Sequence, residues 1–198
     1  MRRHPGPIPT ILPLLALLAA GCSMFEPRDP QAPSQTGLNY RPPTDHPIVI
    51  TNLQAAVEQK NLANYVSCFS DPAKGGRVYV FIPSAEAAAQ YASALSNWTL
   101  ESEAGYFQNM IARSSANAFV SLLLTQKSSE ISTDSVVYNI DYVLTFEHSE
   151  EGFPKTARGN LQFTITRDPA NFWAISRWAD YKTTDDATWS LFKGKFSN

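Results

Sequence analysis

Apolar residues between positions 47 and 115 recur at the three- and four-residue spacing of amphipathic helices. The first helical face, which is interrupted once and then resumes, comprises Ile50, Leu53, Ala56, Val57, Leu62, Tyr65, Val66 and Phe69. A β-branched and aromatic run at 78–82 predicts a short strand. Two more helices are predicted, one over 85–95 with Ser84 as its N-cap and one that starts at Thr99. The predicted buried stripe of the last helix comprises Leu100, Ala104, Phe107 and Ile111.

From residue 117 onward the apolar period changes to two, which is the period of a strand with one buried face. Four successive strands are predicted from these inward positions: Ala118, Val120, Leu122 and Leu124; Tyr138, Ile140, Tyr142, Leu144 and Phe146; Leu161, Phe163 and Ile165; Trp173 and Ile175. Polar segments at 128–134, 149–154 and 166–171 predict short connections. Sequential strands joined in this way form an antiparallel meander. The folded region is therefore predicted to be an α+β domain.

A different pattern precedes the folded region. Arg2 and Arg3 are followed by an apolar run at 8–20, which is too short to cross a bilayer, and then by Ala-Ala-Gly-Cys22. This export signal resembles the lipobox of bacterial lipoproteins, whose cysteine is the lipidated first residue of the mature chain. The resemblance implies cleavage before Cys22, acylation by chains such as palmitate and, because Ser23 follows the cysteine, anchoring at the periplasmic face of the outer membrane. An ordinary cleaved signal with an incidental cysteine is the alternative.

Three parts of the chain follow from these patterns. They are a lipoprotein signal peptide at 1–21, a lipidated cysteine with a proline-rich disordered tether at 22–46, and a folded domain at 47–198. The tether is assigned from prolines that stand among polar residues: Pro27, Pro30, Pro33, Pro42 and Pro43. An extended segment of this kind holds a domain clear of a lipid surface.

Composition removes several classes of function. The formal net charge is −2, and loss of the signal peptide removes Arg2 and Arg3, so nucleic acid is not expected as a partner. Acylation of Cys22 leaves Cys68 without a disulfide partner, and its apolar neighbours predict a buried thiol. The sequence has no spacing of metal ligands and no cofactor motif, so neither a metal nor a cofactor is predicted.

The order of elements resembles that of the nuclear transport factor 2-like superfamily. The stretch 61–65 (Asn-Leu-Ala-Asn-Tyr), with Phe-Ser-Asp at 69–71, is similar to the opening of that family, and Phe-Trp-Ala-Ile at 172–175 is similar to its final strand. The resemblance covers about residues 47–183. It implies a strongly curved sheet that forms a cone, closed on one side by helices, with an apolar cavity at its wide end. The superfamily contains enzymes, binding domains and structural pieces, so the fold does not determine the function.

The candidate lining of this cone consists of Trp98, Tyr106, Tyr142, Trp173, Arg177 and Trp178. Arg177 is an even number of residues from Trp173 and Ile175, so regular alternation would place all three side chains on the inner face of the sheet. A bulge near Ser176 would shift the register and turn Arg177 outward. An inward arginine requires an acidic partner or an anionic ligand.

The ketosteroid isomerase branch of the superfamily uses an aspartate base inside the cone. The candidates here are Asp141 and Asp180, with hydrogen-bond donors among Tyr106, Tyr138 and Tyr142. Alternation places Asp141 on the solvent side of its strand. Asp180 is expected in a turn or a surface ion pair, and a position at the mouth of the cone is its alternative. No catalytic residue is therefore assigned.

Three roles are compatible with the sequence. The favoured one is non-enzymatic binding of an envelope protein or a small apolar ligand. The alternatives are an isomerase or dehydratase that uses the cone, and a homodimeric scaffold paired through the outer sheet face. The apolar C-terminal stretch at 188–196 is predicted to pack back onto the domain, and an exposed patch for a partner is its alternative.

Overall fold

The computed structural model of the protein describes residues 40–197. The elements are α1 (His46–Glu58), α2 (Leu62–Val66), β1 (Val80–Ile82), α3 (Ala85–Gln90), α4 (Ala92–Leu95), α5 (Leu100–Ala112), β2 (Val120–Ile131), β3 (Ser135–Phe146), β4 (Thr156–Arg167), β5 (Trp173–Tyr181) and α6 (Trp189–Phe196). The predicted signal peptide, Cys22 and the predicted tether up to residue 39 lie outside the described residues. Within the described part, no helix has the length and apolar content needed to span a membrane.

Side-chain caps begin two helices where the sequence predicts them. Ser84 caps α3, and the Thr99 hydroxyl accepts an amide hydrogen bond of 3.2 Å at the start of α5. The single helix predicted over 85–95 is instead divided at Tyr91, whose backbone leaves the helical region at φ −123° and ψ 40°. The Tyr91 ring lies so close to Gly194 of α6 that a β-carbon at Gly194 would collide with it.

The five strands form one mixed sheet in the order β1-β5-β4-β3-β2. Strands β2 to β5 are antiparallel neighbours, as the predicted meander requires, and β1 is parallel to β5. The first strand of the meander is longer than predicted, because the polar segment up to Ile131 pairs with β3 and leaves only 132–134 as the connection. Strand β2 is an edge strand, where polar side chains are well tolerated.

Alternation along β3 separates a buried face from a solvent face, as predicted. The buried positions are Val136 and the five predicted ones, Tyr138, Ile140, Tyr142, Leu144 and Phe146. The Asp141 side chain lies on the opposite face, 45% exposed, with its Oδ2 2.9 Å from Lys127 Nζ. The predicted solvent-side position of Asp141 is confirmed.

Strand β5 contains a β-bulge at Ser176. The partners of Thr164 and Ile165 on β5 are two residues apart, so Ser176 is an extra residue in the ladder. The extra residue shifts the alternation of side chains by one position, so that Trp178 faces inward and Arg177 faces outward. The Arg177 guanidinium donates a 2.7 Å hydrogen bond to a side-chain amide of β4 on that outer face. The inward position that simple parity predicts for Arg177 is wrong, and the bulge is the reason.

Helix α6 packs against the inner face of the sheet. Every residue of this eight-residue helix except Lys195 is buried. The Trp189 ring contacts Trp178 of β5 and Tyr142 of β3, with ring centroids 4.7 and 5.6 Å apart. The prediction that the C-terminal stretch packs back onto the domain is confirmed.

The end of the predicted tether contacts the domain. The Tyr40 hydroxyl donates to the Ser67 carbonyl at 3.2 Å, and the Trp173 amide donates to the Pro43 carbonyl at 2.8 Å. The segment therefore supplies a backbone partner to the first residue of β5. Contact with the folded part is established by Tyr40, ahead of the boundary predicted at 47.

Candidate functional site

A buried ion pair joins α5 to α6. The Nζ atom of Lys193 lies 2.7 Å from both Oε1 and Oε2 of Glu103. Neither side chain has any exposed surface. Two buried charges are tolerated only when each is well paired, because both have lost their hydration.

The Glu103 carboxylate accepts three further hydrogen bonds. The Tyr65 hydroxyl donates to Oε1 at 2.6 Å, while the Tyr79 hydroxyl and the Trp98 indole donate to Oε2 at 2.8 and 2.7 Å. Together with the two contacts from Lys193, these donors occupy the accepting positions of the carboxylate. Glu103 therefore has no free oxygen with which to take a proton from a substrate.

Aromatic rings enclose the Lys193 ammonium. Its Nζ lies 3.5 Å from the ring centroid of Trp178 and 3.9 Å from that of Phe81, within the range of a cation–π interaction. Burial lowers the pKa of Lys193 to about 8, although the negative charge of Glu103 opposes the shift. The Trp178 indole N–H has no hydrogen-bond partner among residues 40–197, and the contact of this residue with the ammonium is made by its ring.

A second buried carboxylate, that of Asp180, lies beneath the start of α6. Its Oδ1 accepts from the Tyr142 hydroxyl at 2.8 Å, and its Oδ2 accepts from the backbone amide and the hydroxyl of Ser190 at 2.6 and 2.5 Å. Burial raises the pKa of Asp180, and the hydrogen bonds from Ser190 and Tyr142 oppose this rise. The turn or surface ion pair predicted for Asp180 is wrong, because α6 covers the residue.

The stability of the domain is expected to rise between pH 8 and pH 10. The pKa of Lys193 is about 8 in the folded protein against an ordinary value of 10.5, so in this window the unfolded chain binds a proton that the folded domain does not. Above pH 10 the trend reverses, because burial holds the pKa of Tyr65, Tyr79 and Tyr106 well above 10.0 and only the unfolded chain ionises. Urea unfolding followed by tryptophan fluorescence measures this profile. A rise that persists unchanged in Lys193→Met would show that another group causes it.

Five of the six residues predicted to line a pocket belong to the buried core: Trp98, Tyr106, Tyr142, Trp173 and Trp178. The polar atoms of Trp98, Tyr106 and Tyr142 are engaged by Glu103, α6 and Asp180, and the ring of Trp178 contacts the ammonium of Lys193. Arg177 lies on the outer face of the sheet, and Trp173 lies at a separate opening. The residues predicted to line one pocket therefore lie in three places: the buried core around α6, the outer face of the sheet and a separate opening.

Glu103 and Lys193 were not predicted from the sequence as site residues. The buried residues of α5 are Glu103, Tyr106, Phe107 and Met110, which follow the i, i+3, i+4, i+7 spacing of a helix face. This spacing was present in the sequence. A glutamate in the first turn of a helix is, however, normally interpreted as a solvated partner of the helix dipole.

The described part of the chain has an open cleft of about 530 Å³ beside Trp173. We call it the Trp173 cleft; it is formed by segments within residues 40–43, 67–77 and 166–174. Its apolar wall includes Tyr40, Phe69, Phe172 and Trp173. No group of three or more His, Cys, Asp or Glu residues in 40–197 is arranged to hold a metal ion.

Two turns shape the rim of the cleft. Gly75 ends a 3₁₀ turn with φ +84°, a left-handed conformation that favours glycine. In the loop between β4 and β5, the Asp168 side chain accepts a 2.9 Å hydrogen bond from the Phe172 amide. This bond fixes the loop that carries Phe172, whose side chain is 42% exposed.

Neither a protein-family model nor a curated protein matches the sequence. Solved structures do match it. A conserved protein from Planctomyces limnophilus is 12% identical, with 67% of this chain and 89% of that chain covered and a TM-score of 0.51. A protein from Kribbella flavida is 9% identical, with 69% and 86% covered and a TM-score of 0.50. A nuclear transport factor 2-like superfamily protein from Salmonella enterica serovar Typhimurium is 10% identical, with 69% and 88% covered and a TM-score of 0.49.

At these identities the likeness is one of fold alone. Helices that pack against an open, five-stranded mixed sheet define an α+β domain of the nuclear transport factor 2-like type. The fold class predicted from the sequence is thereby confirmed. The fold is shared by proteins of many activities, so the function has to be argued from the interior and the Trp173 cleft.

Proposed function

We propose that this protein is a lipid-anchored envelope protein that binds a small apolar ligand or a protein partner at the Trp173 cleft, without catalysis. Acylation at Cys22 would hold it at the periplasmic face of the outer membrane. The observation that carries the binding role is that α6 fills the interior of the domain while the Trp173 cleft is open.

The contents of the interior support this division. Trp189, Phe192 and Lys193 of α6 are fully buried against the sheet and α5. A ligand could enter this space only by displacing packed side chains and leaving Glu103 without its cation. The Trp173 cleft, in contrast, has the size and the largely apolar lining that are common to small-molecule sites.

The enzyme alternative requires a carboxylate that faces a substrate. Asp180 and Tyr142 have the chemistry of an acid–tyrosine pair, but the two are only 2% exposed and are hydrogen-bonded to each other and to the start of α6. The donors that surround Asp180 belong to the protein. The arrangement therefore favours a structural role for this pair.

The anchor is tested at Cys22. Cys22→Ala, or treatment of the producing cells with globomycin, should block lipidation and processing and leave the unprocessed precursor. Mass spectrometry of the amino terminus and fractionation of the membranes measure the two effects. Release of a normally processed soluble form would contradict the anchor.

Binding at the Trp173 cleft is expected to depend on Phe172. A neutral amphiphile, 4-phenylbutan-1-ol, should bind the full chain in nonionic detergent saturably, as measured by isothermal titration calorimetry. Phe172→Ala should weaken this binding about tenfold, because it removes a large apolar contact from the opening.

Phe119→Ala is the matched control, because Phe119 is 64% exposed and does not line the cleft. It should bind as the unmodified protein does. Equal losses in the two variants, or no saturable binding at all, would contradict the proposed role of the cleft.

A further inference from the structure

We infer that the ligand of the Trp173 cleft is an amphiphilic anion, with an apolar body and a carboxylate at one end. This inference rests on the proposed binding role of the cleft and adds the charge of the ligand to it. It follows from the hydrogen bonds and ion pairs that each charged residue around the opening makes.

The acidic residues of the lining are committed to the backbone around them. Asp71 accepts a 2.9 Å hydrogen bond from the Ala73 amide, and its other oxygen lies 3.9 Å from Lys74 Nζ. Asp168 accepts from the Phe172 amide. Each of these carboxylates uses one oxygen to hold a rim turn, so a cationic ligand would compete with that turn for the carboxylate.

One cation of the lining, Arg167, already has an acidic partner, in a pair whose side chains are both partly exposed. The guanidinium of Arg167 lies 2.6 Å from the Asp134 carboxylate and 5.7 Å from the ring centroid of Trp173. Arg167 therefore helps to fix the aromatic wall. Its charge is balanced before a ligand arrives.

Arg77 is the cation that remains. Within residues 40–197 its guanidinium makes no hydrogen bond and no ion pair, whereas its backbone carbonyl is held by the Ser70 hydroxyl at 2.8 Å. Lys74 adds a second positive charge, since its side chain is 73% exposed and its contact with Asp71 is long. A fixed backbone with an unpaired guanidinium is suited to bidentate recognition of a carboxylate.

The apolar wall lies in the same opening as these two cations. A ligand whose body packs on Phe172 and Trp173 would therefore place one polar end within the field of Arg77 and Lys74. The cleft volume of about 530 Å³ lies within the usual range for a small-molecule site. The combination matches an aryl or acyl carboxylate better than a neutral or cationic amphiphile.

The test uses three compounds that share one apolar body and differ in their charged end: 4-phenylbutanoate, 4-phenylbutan-1-ol and 4-phenylbutylamine. Titration calorimetry on the full chain in nonionic detergent, with a detergent-only blank, measures each affinity. The carboxylate should bind about tenfold more tightly than the alcohol, and the amine more weakly than either. Arg77→Gln should remove most of the preference for the carboxylate and leave the alcohol unchanged. Lys74→Gln should have a smaller effect in the same direction.

Lys155→Gln is the control for net charge, because Lys155 precedes the opposite end of β4 and pairs with Glu147 at 2.8 Å. It should leave all three affinities unchanged. Equal affinities for the three compounds, or an equal loss in Arg77→Gln and Lys155→Gln, would overturn the inference while binding of the alcohol kept the proposed function intact. Failure of every compound to bind would overturn both.

Discussion

Replacing Lys193 with methionine is expected to destabilise the domain by about 3–5 kcal/mol, the usual cost of removing one partner from a buried ion pair. Methionine fills much of the same space, but unlike a lysine amine, charged or neutral, it donates no hydrogen bond, so the buried Glu103 carboxylate loses both contacts that Lys193 makes. The remaining donors to Glu103 are neutral hydroxyl and indole groups. The free energy of unfolding in urea at pH 7 measures the effect.

Two variants separate this cost from ordinary loss of packing. Lys155→Met removes a lysine from a surface pair in which Lys155 is 51% exposed, and it should change stability by less than about 1 kcal/mol. The double variant Glu103→Gln/Lys193→Met should be more stable than Lys193→Met, because the unpaired carboxylate is gone. If Lys193→Met cost no more than Lys155→Met, the buried pair would not exist as described.

Trp189→Ala is expected to cost about 3–5 kcal/mol, as large-to-small changes of buried aromatic residues do. Trp189 is fully buried, its ring lies 4.7 Å from that of Trp178, and its indole donates to the Tyr106 hydroxyl at 2.9 Å. The change opens a cavity and also leaves a buried hydroxyl with one donor fewer. Thermal and urea unfolding should both report the loss.

The control for Trp189→Ala is Tyr181→Ala, the truncation of an aromatic residue that is 45% exposed at the end of β5. It should change stability by about 0.5 kcal/mol or less, as surface substitutions usually do. Similar losses in the two variants would mean that α6 does not complete the core.

The parts of the fold that local sequence determines were predictable. A period of two identified the strands of the meander, because alternate side chains of a half-buried strand face opposite environments. Ser84 and Thr99 marked helix starts, because their hydroxyls satisfy amides that the first turn leaves free. The register of Asp141 against its buried neighbours came from the same alternation.

The bulge at Ser176 was not predictable in the same way. A bulge changes the backbone ladder while the sequence on both sides still alternates plausibly, so the outward turn of Arg177 has no unambiguous signal. The sequence allowed two registers, and only the pairing of β4 with β5 selects between them.

The buried charges were missed for a different reason. Glu103 and Lys193 are 90 residues apart in sequence, and each alone resembles a solvated helix residue. They meet and are removed from water only because α6 packs against α5. The packing of α6 also buries Asp180, which no local pattern distinguishes from a surface residue.

The Trp173 cleft also depends on distant segments. Its walls come from the chain preceding α1, the turn after α2 and the loop between β4 and β5. Trp173 was the one predicted pocket residue that lies there, and it was predicted for the interior. The fold resemblance implies an open cavity in the interior, whereas the structure has an interior filled by α6 and an open cleft elsewhere.

We propose that α6 is a permanent part of the core, which leaves ligand binding to the Trp173 cleft. Native-state amide hydrogen exchange tests this most directly, because it measures the free energy at which each segment opens. The amides of Phe192 and Lys193 in α6 are predicted to exchange at the same opening free energy as the central residues of β3 and β4. Exchange of α6 at a clearly lower free energy than the sheet would show a lid over Asp180 and Tyr142, and would contradict the account.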